Sequence, residues 1–402
     1  MHWMADTRHR AQLRWMIPGL LALLCGGALA ATEPAPLPEP TPGPIPSAPS
    51  ISARAYILED YQSGHAIAEA NADERMDPAS LTKMMTAYVI SRELAAGHVK
   101  LDAELRVSEK AWRTGGSRMF VEVGNSVKVE DLLRGVIVQS GNDACVTLAE
   151  GIAGSEDAFA QMMNHEAQRL GMTNTHFMNS TGLPDPEHYT TARDLATLSR
   201  ALIRDFPEHY AWYSERDFSY NNITQHNRNT LLWWDQSVDG IKTGHTESAG
   251  YCLAASAQKE GMRLITVVLG ASGEKSRATE SQKLLTYGFR FYETHKLYSA
   301  DDVLSEPRIW GGDSSTIPLG VDEDYYVTIP RGQYKRLNAS LNMDSSIEAP
   351  AEKGQAFGSV VVKLGDEDLD KRPLVALAAV AEGGMFRRAF DWVQRQVSQL
   401  FD

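Results

Sequence analysis

Asp77-Pro78-Ala79-Ser80-Leu81-Thr82-Lys83 is the most informative stretch of this 402-residue chain. Asp followed by Pro is typical of a helix start, with Asp77 as the cap and Pro78 at the first helical position. Ser80 then lies in the first turn, where backbone N–H groups lack intrahelical partners, and Lys83 lies one turn further along the same face. The spacing therefore predicts a serine whose hydroxyl proton can pass to a lysine amine.

Two short motifs further along the chain carry related chemistry. Ser140-Gly141-Asn142 lies between two apolar helical runs, and Lys242-Thr243-Gly244 opens a hairpin. Ser140 can relay a proton, Asn142 can hold a substrate amide, and Gly244 lets a substrate backbone approach the strand. A helix connection or a surface strand would explain either motif taken alone. Combined with the first stretch, they predict a serine acyl-transfer site that uses lysine in place of histidine.

The acylation step requires a neutral lysine that can accept the proton of Ser80, and the motifs contain two lysines, Lys83 and Lys242. A lysine in water is protonated at neutral pH and cannot act as a base, so the pKa of Lys83 has to be lowered. We expect burial and a second cation, Lys242, to lower it. The sequence leaves open which of the two amines is neutral.

The N-terminus predicts export. Within residues 1–30, arginines precede an apolar run from Trp15 to Leu29, and Ala28-Leu29-Ala30 offers a small-x-small cleavage site, as in a secretory signal peptide. A retained anchor helix and a lipidated Cys25 are the alternatives. Residues 31–50 carry Pro at almost every second position, which predicts an extended linker.

Charge and cysteine content exclude several classes of protein. The formal net charge is −13, which is a poor match for nucleic acid because phosphates require a basic face. Beyond the signal segment only Cys145 and Cys252 remain; both lie in apolar runs, so two buried thiols are favoured over a single bridge. His165-Glu166-Ala167-Gln168-Arg169 lacks the second histidine of a zinc-protease helix, and neither a metal nor a cofactor is predicted.

Residues 51–380 divide into two regions that differ in their predicted secondary structure. Residues 51–296 mix helical and extended patterns, which predicts a sheet covered by helices, whereas residues 297–380 alternate short β-prone runs with turns and predict a small all-β domain. The predicted elements of the first part are a strand at Ala55–Leu58, helices at Ala79–His98, Val129–Val138, Asn142–Ile152, Thr191–Ile203 and Arg277–Thr294, and a hairpin of Tyr251–Gln258 with Met262–Leu269.

The last twenty residues form a third kind of segment. Over residues 383–402 apolar side chains recur at helical spacing and basic residues populate the rest of the surface, which predicts an amphipathic helix able to lie in a membrane interface. Packing of this helix on its own domain is the alternative. The apolar face comprises Phe386, Ala389, Phe390, Val393, Val397, Leu400 and Phe401.

The three motifs together match the signature of penicillin-binding proteins and class A β-lactamases. From residue 51 to the C-terminus the chain resembles a low-molecular-mass penicillin-binding protein of the type-5 group of D-alanyl-D-alanine carboxypeptidases. The resemblance implies an α/β (α+β) penicillin-binding or β-lactamase-like domain with an antiparallel sheet covered by helices. Beyond the motifs, it extends over Asp239-Gly240-Ile241, Leu284-Leu285-Thr286-Tyr287-Gly288-Phe289-Arg290-Phe291 and Thr328-Ile329-Pro330-Arg331-Gly332.

The resemblance also implies a role for each matching residue. Ser80 would be acylated, Lys83 would be its base, and Ser140 with Asn142 would form the middle motif. The opposite wall of the site would consist of Lys242, Thr243, Gly244 and the backbone N–H of His245, a second oxyanion donor. Arg277 would help bind the terminal carboxylate of the peptide; a surface helix charge is the alternative for this residue.

The implied function is removal of the terminal D-alanine from peptidoglycan pentapeptides through an acyl-enzyme, with covalent binding of penicillin. Inner-membrane lipid would be a peripheral partner through the C-terminal helix, at the periplasmic face; a homodimer is left open. A β-lactamase is one alternative, but residues 176–195 hold only Glu187 and no Glu-x-x-x-Asn arrangement. A non-catalytic wall-binding scaffold is another. Thr181 differs from the histidine associated with this loop in the best-known member of the family, which leaves the deacylation rate and side activities open.

Overall fold

The structure is a computed structural model that describes residues 45–398. The predicted signal segment and the linker up to residue 44 lie outside the described residues. The first part of the chain consists of β1 (Ala55–Asp60), β2 (Ala66–Ala70), α1 (Thr82–Ala95), β3 (Glu104–Arg106), α2 (Glu109–Arg113), β4 (Ser126–Lys128), α3 (Val129–Arg134), α4 (Asn142–Ala153), α5 (Glu156–Arg169), α6 (Ala192–Asp205), α7 (Pro207–Tyr210), β5 (Asp217–Tyr220), β6 (Ile223–His226), α8 (Leu231–Trp234), β7 (Val238–Thr246), β8 (Gly250–Lys259), β9 (Met262–Ala271) and α9 (Glu274–Phe291).

A five-stranded antiparallel sheet organises this part, in the order β2-β1-β9-β8-β7. The predicted hairpin is β8–β9, closed by Glu260 and Gly261, which both have positive φ as a two-residue turn requires. One apolar core joins α1, α4 and α6 to one face of the sheet, and a second places α9 on the other face. The predicted antiparallel sheet covered by helices is confirmed.

The second part of the chain is almost entirely β-structure. Its elements are β10 (Tyr292–Tyr298), β11 (Val303–Ser305), β12 (Ile309–Trp310), β13 (Leu319–Gly320), β14 (Tyr325–Pro330), β15 (Leu337–Met343), β16 (Ile347–Glu348), β17 (Ala356–Leu364), β18 (Glu367–Ala376) and the helix α10 (Met385–Ser398). Five of these strands form a sheet in the order β11-β13-β18-β17-β15, and β10 pairs with β14. The predicted boundary at residues 296–297 falls inside β10.

Two local predictions are corrected by the backbone. Asp77 does not cap α1: the turn before the helix, Ala79–Leu81, is a 3₁₀ turn that begins at Pro78 without a side-chain cap, and α1 starts at Thr82. Ala79 adopts φ +47°, which turns the chain sharply just before Ser80. The predicted closing helix ends at Phe291, three residues early, because the chain continues directly as β10.

A buried polar cluster joins the two parts. The Asp60 carboxylate, which is fully buried, accepts hydrogen bonds from Ser63 Oγ (3.0 Å) and Thr294 Oγ1 (2.7 Å). Thr328 lies within hydrogen-bond distance of the hydroxyls of both Ser63 and Thr294. Arg372 donates to the carbonyl of Ser63. Because each hydroxyl has a partner across the junction, the β-structured part is fastened to the first strand of the main sheet.

Helix α10 lies against the β-structured part through polar contacts. Asp391 accepts from Arg308 (2.9 Å) and from the backbone N–H of Gly311 (3.0 Å). Two aromatic side chains of the helix point into solvent instead: Phe386 is 94% exposed and Phe390 is 68% exposed. No helix among residues 45–398 is both long enough and apolar enough to cross a bilayer.

Candidate active site

Ser80 and Lys83 meet at the start of α1. Lys83 Nζ donates to Ser80 Oγ at 3.0 Å and to the carbonyl oxygen of Thr181 at 2.5 Å. Lys83 is fully buried, whereas Ser80 lines an open cleft of about 460 Å³. The predicted pairing of a serine hydroxyl with a lysine amine is therefore present in the geometry, with the hydroxyl oriented toward the cleft.

Both motif lysines are affected by burial. Burial lowers the pKa of Lys83 to about 8. The pKa of Lys242 falls well below its ordinary value because of burial first, followed by the positive charges of Lys83, Arg228 and Arg277. Two such amines close together cannot both carry a charge at low cost, and at pH values near 8 Lys83 can exchange a proton with Ser80.

The middle motif presents two polar atoms to the cleft. A π-type turn over Gly135–Gln139 ends at Ser140, whose φ of +68° is unusual for a residue with a side chain. Ser140 Oγ and Asn142 Oδ1 are buried and have no hydrogen-bond partner among residues 45–398. Asn142 Nδ2 donates to the carbonyl of Gly115 at 2.7 Å, which fixes the orientation of the amide. Its oxygen is thus left to accept a donor in the cleft.

Asp143 holds the loop that packs behind the middle motif, a role that was not predicted from the sequence. Its fully buried carboxylate accepts the backbone N–H groups of Met119 (2.8 Å), Phe120 (2.8 Å) and Val121 (3.2 Å). Phe120 is held there with φ +68°. The carboxylate therefore fixes the loop that carries Gly115. Its position directly after Asn142, in the first turn of α4, was the available signal.

A second fixed loop, residues 178–188, supplies the carbonyl that contacts Lys83. Thr86 Oγ1 donates to the carbonyl of Ser180 at 2.6 Å, and Asn179 Oδ1 accepts the N–H of Gly182 at 2.8 Å. His188 is within hydrogen-bond distance of Thr82, at 2.8 Å, and burial lowers its pKa to about 4, so the ring is neutral. Thr181 contacts Lys83 through its backbone carbonyl, and a residue of any type at this position could make the same contact.

Gly244 lies close to the turn that carries Ser80. A Cβ atom on this residue would lie 3.2 Å from the Ser80 backbone nitrogen and 3.2 Å from the Pro78 oxygen. The absence of a side chain at Gly244 therefore eases the close packing of β7 against the Ser80 turn, and approach of a substrate backbone to this strand stays a prediction. Thr243 precedes it along β7 and accepts from Lys242 Nζ through its carbonyl, at 3.1 Å.

Arg277 lies at the far end of the cleft and is not a surface charge. It belongs to the first turn of α9, and one guanidinium nitrogen donates to the carbonyl of Gly244 at 3.1 Å. The guanidinium carbon lies 5.6 Å from the centre of the Tyr251 ring. The His245 ring packs against the same tyrosine in a tilted arrangement, with the ring centroids 4.0 Å apart. These contacts place a cation beside the strand that bears the third motif.

All nine residues predicted for the site come together. Seven line the cleft, while Lys83 and Lys242 lie buried beneath its floor. The cleft is also lined by residues that were not predicted to belong to the site: Gly116, Ser117, Gly182, Leu183, Arg228, Thr246, Tyr251 and Glu274. Cys145 and Cys252 are both buried free thiols.

The fold and the cleft together define a serine acyl-transfer enzyme of the penicillin-binding type. The D-alanyl-D-alanine carboxypeptidase family model matches residues 43–273, and that of the penicillin-binding protein 5 C-terminal domain matches residues 292–382. D-alanyl-D-alanine carboxypeptidase DacC of Escherichia coli K12 is 48% identical over 362 residues, which cover 88% of this chain and 90% of the relative. The chain belongs to the D-alanyl-D-alanine carboxypeptidase family and is a serine-type carboxypeptidase.

Solved structures agree with this assignment. Penicillin-binding protein 5 of Haemophilus influenzae superposes with a TM-score of 0.81 at 44% identity, covering 84% of this chain and 99% of that one. Penicillin-binding protein D2 of Listeria monocytogenes, in its ampicillin-bound form, gives a TM-score of 0.56 at 32% identity and covers 60% of this chain and 98% of that one.

Proposed function

We propose that Ser80 is the nucleophile that removes the terminal D-alanine from peptidoglycan pentapeptides, with Lys83 as its base. The single observation that carries the proposal is the 3.0 Å contact between Lys83 Nζ and Ser80 Oγ. Lys83 is also buried, and its pKa is lowered to about 8. A lysine with this pKa can take the hydroxyl proton at physiological pH, which a lysine in water cannot.

In the acylation step, Ser80 Oγ attacks the carbonyl carbon of the bond between the two D-alanines, and its proton passes to Lys83 Nζ. The backbone N–H groups of Ser80 and His245 stabilise the oxyanion. The C–N bond then breaks, and Ser140 Oγ relays the proton held by Lys83 to the departing amine. Free D-alanine leaves and an ester remains on Ser80. Water attacks the ester carbonyl, its oxygen becomes part of the new peptide carboxylate, and one of its protons restores the Ser80 hydroxyl.

Substrate binding uses the polar groups that the fold leaves free. Asn142 Oδ1 accepts a substrate amide N–H, and the proposal is supported by the burial of this oxygen without a partner among the described residues. Thr243 and Gly244 lie on β7, an end strand of the sheet as described, and Lys242 lies beneath them. Arg277 at the end of this strand binds the terminal carboxylate, which distinguishes a chain end from an internal peptide.

The test is to incubate the purified protein with a pentapeptide and to measure D-alanine, beside a penicillin-hydrolysis assay. We expect D-alanine release and slow penicillin turnover. Rapid penicillin turnover without D-alanine release would instead establish the β-lactamase alternative. If neither reaction occurred and penicillin did not bind covalently, the wall-binding scaffold would be the correct function.

We further propose that the protein is exported and that α10 holds it at the periplasmic face of the inner membrane. The proposal is supported by the exposed apolar side chains of Phe386 and Phe390 and by the polar contacts of Asp391, which turn the other side of the helix toward the protein. Deleting residues 383–402 is expected to abolish flotation with anionic vesicles and to leave D-alanine release unchanged. Undiminished flotation would assign the membrane contact to another segment.

A further inference from the structure

Glu274 contacts the guanidinium that, under the proposed function, receives the substrate's carboxylate. Arg277 is nearly buried, with 5% of its side chain exposed, and its Nη2 lies 3.1 Å from Glu274 Oε1. The opposite nitrogen, Nη1, is occupied by the carbonyl of Gly244. Within residues 45–398, Glu274 is the one ion-pair partner of Arg277. Part of the carboxylate-binding face of Arg277 is thus occupied before any substrate arrives.

The Glu274 carboxylate is held loosely. It lies in the first position of α9, three residues before Arg277, and 60% of its side chain is exposed. Arg277 is its single hydrogen-bond and ion-pair partner within the described residues. A partly exposed pair of this kind contributes little net free energy. The carboxylate can therefore leave the guanidinium for solvent without breaking any other contact.

Glu274 is also chemically distinct from the rest of the cleft. Among the residues that line it, Glu274 is the one acid, beside the cations Arg228 and Arg277. The two motif lysines lie buried beneath. An acid opposes the positive potential that attracts a peptide carboxylate, and this one lies on the cation that would bind the carboxylate.

We propose that Glu274 is a displaceable stand-in for the substrate's terminal carboxylate: it occupies Arg277 in the free enzyme and must move aside when a D-alanine-terminated chain binds. This inference rests on the proposed role of Arg277. Glu274 is then a specificity-determining residue that weakens binding of carboxylate-ended ligands. An alternative in which Glu274 merely orients Arg277 predicts the opposite sign, because loss of the orienting carboxylate would then weaken binding.

The experiment compares Glu274→Gln with Glu247→Gln. Glu247 is exposed in the turn between β7 and β8, so its substitution removes the same charge without touching Arg277. Two substrates are used: an N-acylated peptide ending in D-Ala-D-Ala, and the same peptide with its carboxylate converted to a primary amide. Release of D-alanine or D-alaninamide gives kcat and KM for each.

We expect Glu274→Gln to raise kcat/KM for the carboxylate peptide about two- to fivefold, the factor expected for a partly exposed ion pair, through a lower KM. The amide peptide and the Glu247→Gln variant should show less than half of that change. A lower or unchanged kcat/KM for the carboxylate peptide in Glu274→Gln, with an unaltered thermal unfolding temperature, would overturn the proposal.

The Arg277→Gln variant distinguishes a failure of the proposed role of Arg277 from a failure of the proposed role of Glu274. If Arg277 binds the carboxylate, this variant loses the preference for the carboxylate peptide over the amide peptide, and adding Glu274→Gln to it has no further effect. If Arg277→Gln kept the preference, the proposed role of Arg277 would fail, irrespective of Glu274. If the preference were lost but Glu274→Gln alone had no effect, only the stand-in role would fail. Glu274→Ala, which also removes the carboxylate, provides a second variant should Glu274→Gln fold poorly, and it should raise kcat/KM for the carboxylate peptide in the same way.

Discussion

The cleft and helix α10 both depart from the usual placement of side chains, and they do so in opposite directions. In the cleft, Lys83 and Lys242 are buried, whereas on α10 Phe386 and Phe390 are exposed. Buried amines are tolerated where hydrogen bonds and a lowered pKa offset the lost hydration, and Lys83 has both. Phe386 and Phe390 pack against no apolar partner that removes them from solvent among residues 45–398. The chain's own contacts therefore stabilise the buried amines of the cleft, whereas the exposed aromatic side chains of α10 are the observation on which the proposed membrane contact rests.

The largest effect is expected from removing the buried amine. Lys83→Met retains most of the side-chain volume and removes the base, so acylation of Ser80 should slow about 10²–10⁴-fold. Time courses with a fluorescent penicillin measure it. Lys100→Met, at an exposed lysine, is the matched control and should acylate at the wild-type rate. Acylation of Lys83→Met within a factor of ten of wild type would assign the base to another group.

The pH dependence of acylation tests the charge of the same amine. A protonated lysine cannot accept the Ser80 proton, and burial lowers the pKa of Lys83 to about 8. The acylation rate should therefore rise about tenfold per pH unit well below that pKa and level off above it. Stopped-flow mixing with penicillin over this range provides the profile. If the rate continued to rise up to the ordinary pKa of lysine, the pKa of Lys83 would not be lowered in the protein.

Asp143 tests whether the cleft wall is prepared by the fold, and a smaller effect is expected. Asp143→Asn replaces a carboxylate that accepts three backbone N–H groups from the loop at residues 119–121 with an amide that has one acceptor oxygen. We expect a loss of about 1–3 kcal/mol in the free energy of unfolding and a higher KM, because Asn142 loses its fixed wall. Denaturant titration and steady-state kinetics measure both.

Asp157→Asn, at an exposed acid in the first turn of α5, is the control for this prediction. It should leave KM unchanged and alter the free energy of unfolding by less than about 1 kcal/mol. Equal stability losses in the two variants would show that the contacts of the Asp143 carboxylate do not brace the loop.

The smallest effect on catalysis is expected from α10. Phe386→Ser combined with Phe390→Ser removes exposed apolar area, so binding to anionic vesicles should weaken while kcat/KM stays within about twofold. Val303→Ser combined with Met343→Ser removes exposed apolar side chains of the β-structured part and serves as the control. Equal loss of vesicle binding in both double variants would mean that α10 has no special role.

Much of the fold was accessible from the sequence because helix periodicity and a short hairpin turn are local signals. The predicted helix at Thr191–Ile203 and the β8–β9 hairpin have close counterparts in α6 and in the observed strands. The cap at Asp77 was wrong because the contact between β7 and the Ser80 turn, rather than local preference, shapes that turn. A tertiary contact of this kind leaves no local signature.

For the site, the motif side chains could be predicted from the sequence, whereas the backbone groups around them could not. Side chains in the three motifs could be named because their chemistry is specific to residue type. The carbonyl of Thr181 and the three N–H groups bound by Asp143 could not, since every residue carries the same backbone groups. Glu274 was not predicted because its proposed role depends on its ion pair with Arg277, which forms only in the folded cleft.

The most direct test of the central claim is the identity of the acylated residue. Wild-type protein and Ser80→Ala are incubated with labelled penicillin, digested and analysed by mass spectrometry. We expect one penicilloyl adduct in the wild type, on the peptide that contains Ser80, and no covalent label in Ser80→Ala. A covalent adduct on Ser80→Ala, or a wild-type adduct on Ser140, would contradict the role of Ser80 as the acylated residue.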